Sequence, residues 1–231
     1  MLDLAKAMLT ESLDGKKGIP ADLVVAIDDV ELGNLEQQAI VTEHFRAAIN
    51  EAIKLRMHDA NSEDRYLDIL RQRCFFHLFK PMVESYLFGD ANALRVAGVP
   101  SNVNPKLIHA SDVEQFETND PSWLPICRLE NGRRKQATPW WCHERHPKHY
   151  LKYFADRGQV FYEEARHGKN ALIQLDWKRV PKCPTDTLII RSLFEDLSDW
   201  FGVPNPIQGL THPVVYPPKT INRTNLRLRN L

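Results

Sequence analysis

The chain has 231 residues, 43% hydrophobic and 26% charged, an ordinary balance for a globular protein and enough for one sizeable domain or a domain with an appended lobe. No apolar run approaches the ~20 residues that span a bilayer, the start lacks a basic-then-apolar leader, and four cysteines do not suggest a disulfide scaffold, so a reducing, cytoplasmic setting without a membrane is expected. The net charge of +0 hides an asymmetry, since residues 1–127 hold 12 Lys+Arg against 20 Asp+Glu and residues 128–231 hold 18 against 10. An acidic half beside a basic half suits a metal site next to a polyanion-binding surface, and equally a self-complementary or partner-binding surface.

Leu2, Leu4, Ala5, Met8, Leu9 and Leu13 stand at near-helical spacing and predict an amphipathic helix at the start. After the Gly/Pro-containing break at 14–20 comes Leu23-Val24-Val25-Ala26-Ile27-Asp28-Asp29, an apolar run that reads as a strand buried on both faces, as in parallel sheets covered by helices. Ligands gather beyond the carboxyl ends of such strands, which is where Asp28 and Asp29 would stand, although a strand-end Asp can also do no more than cap or solvate. Asn34 and Gln37 read as a capping box for a helix of about six turns carrying Val41, Phe45, Ala48, Ile49, Ala52 and Ile53 on one stripe.

Cys74-Phe75-Phe76-His77-Leu78-Phe79 reads as the return strand of a βαβ unit. Pro81 then suits a first helical position, with Met82, Val83, Tyr86 and Leu87 buried and Glu84 one turn in, pointing into the same crevice as Asp28 and Asp29. Asp90 is placed to cap a short helix through Ala93, Leu94 and Ala97 that Gly98 closes.

Residues 99–145 lack periodicity and read as a largely irregular insertion. Arg133-Arg134-Lys135 and Trp140-Trp141 within it could serve nucleic acid, or the tryptophans could anchor the insertion to the core. Cys127, Cys142, His143 and His146 raise a zinc reading, against which stands the absence of a CxxC or HxxxH pair. His146 to Ala155 reads as a helix with Pro147 at its first position, Tyr150, Leu151 and Phe154 facing inward, and Gly158 beyond its end. Residues 160–177 read as a helical hairpin bending at Arg166-His167-Gly168-Lys169, and Ser192 with Glu195 as a capping box opening a helix that Gly202 and Pro204 stop. The Pro-rich tail from 203 has four basic and no acidic residues, and is expected to be extended and docked on a partner or on the same chain. The organisation expected is a core over 1–98, the insertion over 99–145, a helical part over 146–202 and the tail over 203–231.

An apolar strand ending in acidic residues, followed by a strand that runs into PMVESYLFGDANAL, resembles the small Toprim-like proteins of bacterial defence loci. The matching positions are Glu84, Tyr86, Leu87, Phe88, Gly89, Asp90, Ala93 and Leu94, and HPKHYLKYF, Gly168-Lys169 and RSLFEDLSDWF are similar to the family's later elements. The resemblance covers about residues 20–202. It implies an α/β, Toprim-like fold with a mostly parallel sheet covered by helices. It also implies a Mg²⁺- or Mn²⁺-dependent nuclease subunit acting on DNA or RNA beside a neighbour-encoded ATPase similar to overcoming-lysogenisation-defect nucleases, as part of a larger complex or a homo-oligomer. Asp28, Asp29, Glu84 and Asp90 would ligate metal, with Asp28 and Glu84 catalytic, because Mg²⁺-type ions want hard oxygens and activate water for phosphoryl transfer. Lys148, Lys169 and Arg191 are the candidates to hold a nucleic-acid backbone.

The chain departs from that family in two places. A catalytic Glu at the end of a first strand has no counterpart before Met1-Leu2-Asp3-Leu4, and Asp28-Asp29-Val30-Glu31 stands where Asp-x-Asp is usual. The site is therefore expected to be incomplete, completed by another chain, or inactive. The alternative function is a non-catalytic Toprim-derived subunit that binds a partner protein or nucleic acid.

Overall fold

A computed structural model describes residues 1–15, 18–57, 61–124, 144–180, 189–207 and 227–231. Strands β1 (Val24–Asp29) and β2 (Cys74–Phe79) form a parallel pair, with Val24 opposite Cys74 and Asp29 opposite Phe79. The long crossover that parallel pairing requires is supplied by helices α2 (Gln38–Arg56) and α3 (Asn61–Arg73). These two, with α1 (Leu2–Leu13), cover one face of the pair. There Phe45 stacks on Phe76 at a centroid distance of 3.9 Å, among the buried Met8, Leu9, Ile49, Ile53 and Leu70. Each such fully buried side chain stabilises the fold by roughly 1.5–3 kcal/mol.

The opposite face is covered by α4 (Glu84–Leu87), α5 (Ala91–Val96), α6 (Pro147–Arg157), α7 (Lys169–Gln174) and α8 (Ile189–Phe201). Its core is aromatic, with Phe79, Tyr86, Phe116, Trp123, Tyr150, Phe154 and Tyr162 buried together. The protein is thus mixed α/β, with a small parallel two-stranded sheet covered by helices on both faces. Among the described residues no helix is long and apolar enough to cross a membrane.

The two strands differ in burial. All six residues of β2 are buried, whereas in β1 only Ala26 is, because β1 lies at the sheet's edge. The outer edge of β2 is taken by the last five residues of the chain. Arg229 N–H donates to the Cys74 carbonyl at 3.0 Å, and the Asn230 amide accepts from Phe76 N–H at 3.2 Å while donating to the Phe76 carbonyl at 2.7 Å. One side-chain amide therefore satisfies backbone groups that a further strand would otherwise pair. Leu228 and Leu231 are buried with α1 and α2, and the Arg229 guanidinium lies 5.2 Å and 4.9 Å from the Phe75 and Trp200 ring centres. This stretch of the tail is part of the core; residues 208–226 lie outside the described residues.

Several local expectations give way in the structure. Asn34 does not cap α2: it ends a 3₁₀ turn, Leu32–Asn34, and α2 starts at Gln38 without a side-chain cap. Pro81 does not open a helix. Its bond to Lys80 is cis and α4 starts three residues later, so that Glu84 is the first helical residue. Ser192 does not cap α8, which already includes Ile189. The acceptor for its first amides is Glu114, whose carboxylate takes the Ile189 and Ile190 N–H groups at 2.5 and 2.8 Å. Residues 160–177 are not a hairpin: a single π-helical turn, Glu164–Gly168, runs straight into α7. Helix α3 has no place in the sequence reading, although Tyr66, Leu67 and Leu70 carry a short helical stripe. The 99–124 part of the insertion contributes Val113, Phe116 and Trp123 to the core, while residues 125–143 lie outside the described residues.

Candidate functional site

The carboxyl ends of β1 and β2 stay paired beyond the strands. Val30 N–H donates to the Phe79 carbonyl at 2.8 Å, and Glu31 N–H to the Pro81 carbonyl at 3.0 Å. Holding both bonds puts Glu31 at φ 66°, ψ 155°, a conformation that side chains other than Gly rarely adopt, and strain of this kind gathers at functional sites. Asp29 N–H is satisfied by the Asp28 carboxylate at 2.9 Å. The Asp29 carboxylate accepts from Val83 N–H at 3.0 Å and so ties the end of β1 to the residue preceding Glu84.

Glu84 is 1% exposed and accepts a hydrogen bond from the Tyr162 hydroxyl at 3.3 Å. That phenol reaches it by passing over Gly168, where an added Cβ would lie 2.5 Å from the Tyr162 oxygen. Lys148, in the first turn of α6, ion-pairs with Glu164 of the π turn. Glu31, Glu84 and Glu164 therefore share one lysine at the strand ends, and Asp29 adjoins them through Glu84 and Glu31 with Asp28 beside it.

The electrostatics follow from burial. Desolvation, then the charges of Glu84, Glu31 and Asp28, push the Asp29 carboxyl up to about 7 against the opposing Val83 N–H. Glu84 is raised mainly by burial, against the pull of Lys148 and Tyr162. Glu31 is raised by burial and by Asp28 and Glu164, with Lys148 again opposing. Burial works against the Lys148 ammonium, yet its hydrogen bond to Glu164 and the attraction of Glu84 and Glu31 hold it above its usual range. Among the described residues no three His, Cys, Asp or Glu side chains converge closely enough to hold a metal ion as they stand.

Of the residues singled out from the sequence, the structure brings Asp28, Asp29, Glu84 and Lys148 together. Asp90 is engaged elsewhere: it caps α5 through Asn92 N–H at 2.9 Å, accepts from Asp176 N–H at 3.0 Å, and faces Arg179 at 3.4 Å. Arg191 pairs with Glu195 at 2.9 Å on α8, and Lys169 is an exposed first residue of α7. Glu31 and Glu164 were missed. Glu31 lies two residues past Asp29, a usable signal, whereas Glu164 enters through the π turn, which the sequence pattern did not indicate. His146 caps α6 and stacks on His149 at 3.7 Å; Cys127, Cys142 and His143 lie outside the described residues.

His77 was also missed. Fully buried in β2, it lies 3.0 Å from the Asp196 carboxylate and 3.4 Å from the Ser192 hydroxyl. That trio is no hydrolase site, since Ser192 is buried and its hydroxyl donates to the Ile189 carbonyl at 2.8 Å.

The fold and site thus define an α/β protein with an acidic cluster, offset in part by one lysine, at the carboxyl ends of a parallel strand pair. Compared with known protein families, characterised proteins and solved structures, the chain matches none. Neighbouring carboxylates of this kind suit divalent cation binding if they turn towards a common point, proton transfer between them, or a purely internal ion pair.

Proposed function

We propose that the chain is a Mg²⁺- or Mn²⁺-dependent nuclease subunit of Toprim-like type, hydrolysing phosphodiesters of DNA or RNA beside an ATPase partner in an anti-phage system. The observation that carries this reading is the gathering of Asp28 and Asp29, from the end of β1, and Glu84, from the start of α4, at the strand ends, where Asp29 bonds the residue before Glu84. The donor set is all oxygen, as such ions require, and the crowded carboxylates repel one another in a way that a divalent charge relieves. Asp28, Asp29 and Glu84 would hold the ion, with Glu31 and, once Lys148 releases it, Glu164 turning towards it. A bound ion supplies activation of water and neutralisation of phosphoryl charge. Lys148 then trades its carboxylates for a substrate phosphate, and Tyr162 keeps Glu84 in place. Asp90, occupied as a cap, belongs to the scaffold in this reading.

The test is cleavage of single- and double-stranded DNA and RNA with Mg²⁺ or Mn²⁺, by the protein alone and with its partner ATPase. Cleavage that the double variant Asp28→Asn/Glu84→Gln abolishes supports the assignment; equal cleavage by that variant sinks it. The ion pair of Lys148 inside the cluster favours a second reading, a non-catalytic subunit in which the lysine permanently takes the cation's place. That reading expects no metal-dependent cleavage in any assembly, together with a stable complex.

A further inference from the structure

A second site lies away from the acidic cluster, between α5 and the loop at 99–107. There a half-open cavity of about 520 Å³ has Phe88, Leu94 and Val103 among its apolar walls and Arg95, Lys106 and Asn104 at its polar rim. No Asp or Glu lines it, although residues 1–127 carry 20 acidic against 12 basic residues. Among the described residues neither cation is ion-paired. Lys106 faces Asp120, whose carboxylate is already taken by Ser122 and by the Tyr150 hydroxyl at 2.8 Å.

The walls are built rather than incidental. Lys106 N–H donates to the Tyr150 hydroxyl at 3.1 Å and its carbonyl accepts from the Thr118 hydroxyl at 2.5 Å, both partners being fully buried. Phe88 is stacked on Tyr150 at 5.8 Å and tilted against Phe116 at 5.0 Å. Gly98, at φ 101°, makes the turn that lets Val99 N–H close α5 on the Leu94 carbonyl at 3.0 Å. The volume lies within the range of small-molecule sites, and apolar walls with a few fixed polar groups are their usual composition.

We infer that this cavity binds a nucleoside monophosphate, with the base against Phe88 and Val103, its edge within reach of the Asn104 amide, and the phosphate between Arg95 and Lys106. An apolar body and an anionic end are what the two kinds of lining select, because a guanidinium in no ion pair, and an ammonium near only the already hydrogen-bonded Asp120, make strong charge-assisted bonds to phosphate. The site stands independently of the nuclease reading and shares no lining residue with the acidic cluster.

The experiment is isothermal titration of the full chain with AMP, GMP, CMP and UMP, with adenosine and inorganic phosphate as separate arms. The variants are Arg95→Ala/Lys106→Ala and, separately, Asp28→Asn/Glu84→Gln. The core bonds of Lys106 run through its backbone, so the first variant keeps the fold, which a thermal melt checks. Expected is one saturable site for at least one nucleotide, weakened about tenfold or more in Arg95→Ala/Lys106→Ala and unchanged in Asp28→Asn/Glu84→Gln. Three outcomes overturn the inference: no saturation by any of the four at about 5 mM, phosphate alone binding as tightly as the nucleotide, or binding that only the acidic-cluster variant removes.

Discussion

Replacing Lys148 with Met removes the cation that Glu31, Glu84 and Glu164 share while keeping the stem's bulk. The Lys148 and Glu164 side chains are 27% and 57% exposed, so that pair by itself contributes about 1 kcal/mol or less. Glu84 is 1% exposed and screened far less, and at an effective dielectric near 20 the loss of a cation several Å away leaves it less stable by roughly 1–3 kcal/mol. The carboxyl can limit that loss by taking a proton, so the net destabilisation is about 1–2 kcal/mol near neutral pH, a fall in Tm of about 2–8 °C for a chain of this size. A carboxylate whose folded pKa is raised loses stability as pH rises from its unfolded towards its folded value. Removing Lys148 raises Glu84 and Glu31 further, so the gap between wild type and variant widens as pH rises above the ordinary carboxylate range, which pH 5 and pH 8 compare.

The assay is thermal denaturation by circular dichroism at both pH values, with and without Mn²⁺. An ion that binds the folded state raises Tm, and in Lys148→Met it no longer competes with an internal ammonium, so the Mn²⁺-induced rise is larger than in wild type. A variant with the wild-type Tm, pH slope and Mn²⁺ response would show that Lys148 and the carboxylates do not form one electrostatic unit.

Other consequences are local and measurable. Glu114 is 3% exposed and its carboxyl is pushed up to about 7, by burial above all. Its stabilising contribution is whole below about pH 4.5 and lost as pH rises through 7, up to about 3 kcal/mol, which urea midpoints at pH 5 and 8 should show for wild type and much less for Glu114→Gln. Asn230→Ala leaves Phe76 N–H and C=O without partners in the core and costs about 1–3 kcal/mol, read from the same midpoints; a change under half a kcal/mol would mean that water replaces the amide. Gly168→Ala places a methyl against the Tyr162 hydroxyl and destabilises by about 1–3 kcal/mol, and if the Tyr162–Glu84 bond matters to metal binding the Mn²⁺-induced rise in Tm shrinks with it.

The parts that could be read from the sequence are those fixed by neighbours in the chain. The stripe of α2, the apolar runs of both strands, Asp90 before α5 and Pro147 opening α6 are all local patterns, and they stand where periodicity and capping place them. The misreading at Ser192 has its cause in a capping group supplied from far away. Glu114 reaches 75 residues along the chain to the first amides of α8, and no pattern around Ser192 could announce it. The site divides in the same way. Asp28, Asp29 and Glu84 follow strand ends and are legible, while Glu164 depends on a π turn whose register one residue decides.

The docking of the C-terminus changes how the two functional readings are to be separated. A basic, proline-rich tail invites truncation at 203 as a test of partner binding. Its last residues bury Leu228, Asn230 and Leu231 against α1, α2 and β2, and losing two buried leucines alone removes about 4 kcal/mol or more from a protein whose whole margin is about 5–15 kcal/mol. A complex lost on truncation would therefore report unfolding as readily as a lost interface. Point variants do discriminate: Arg229→Ala removes the guanidinium from Phe75 and Trp200 while leaving both leucines and Asn230 in place. If tail docking serves only the fold, Arg229→Ala lowers Tm by a few °C and leaves any partner complex intact. If the complex dissociates while the pH 7 melt stays cooperative and near wild type, the tail's edge of the sheet is itself a contact surface.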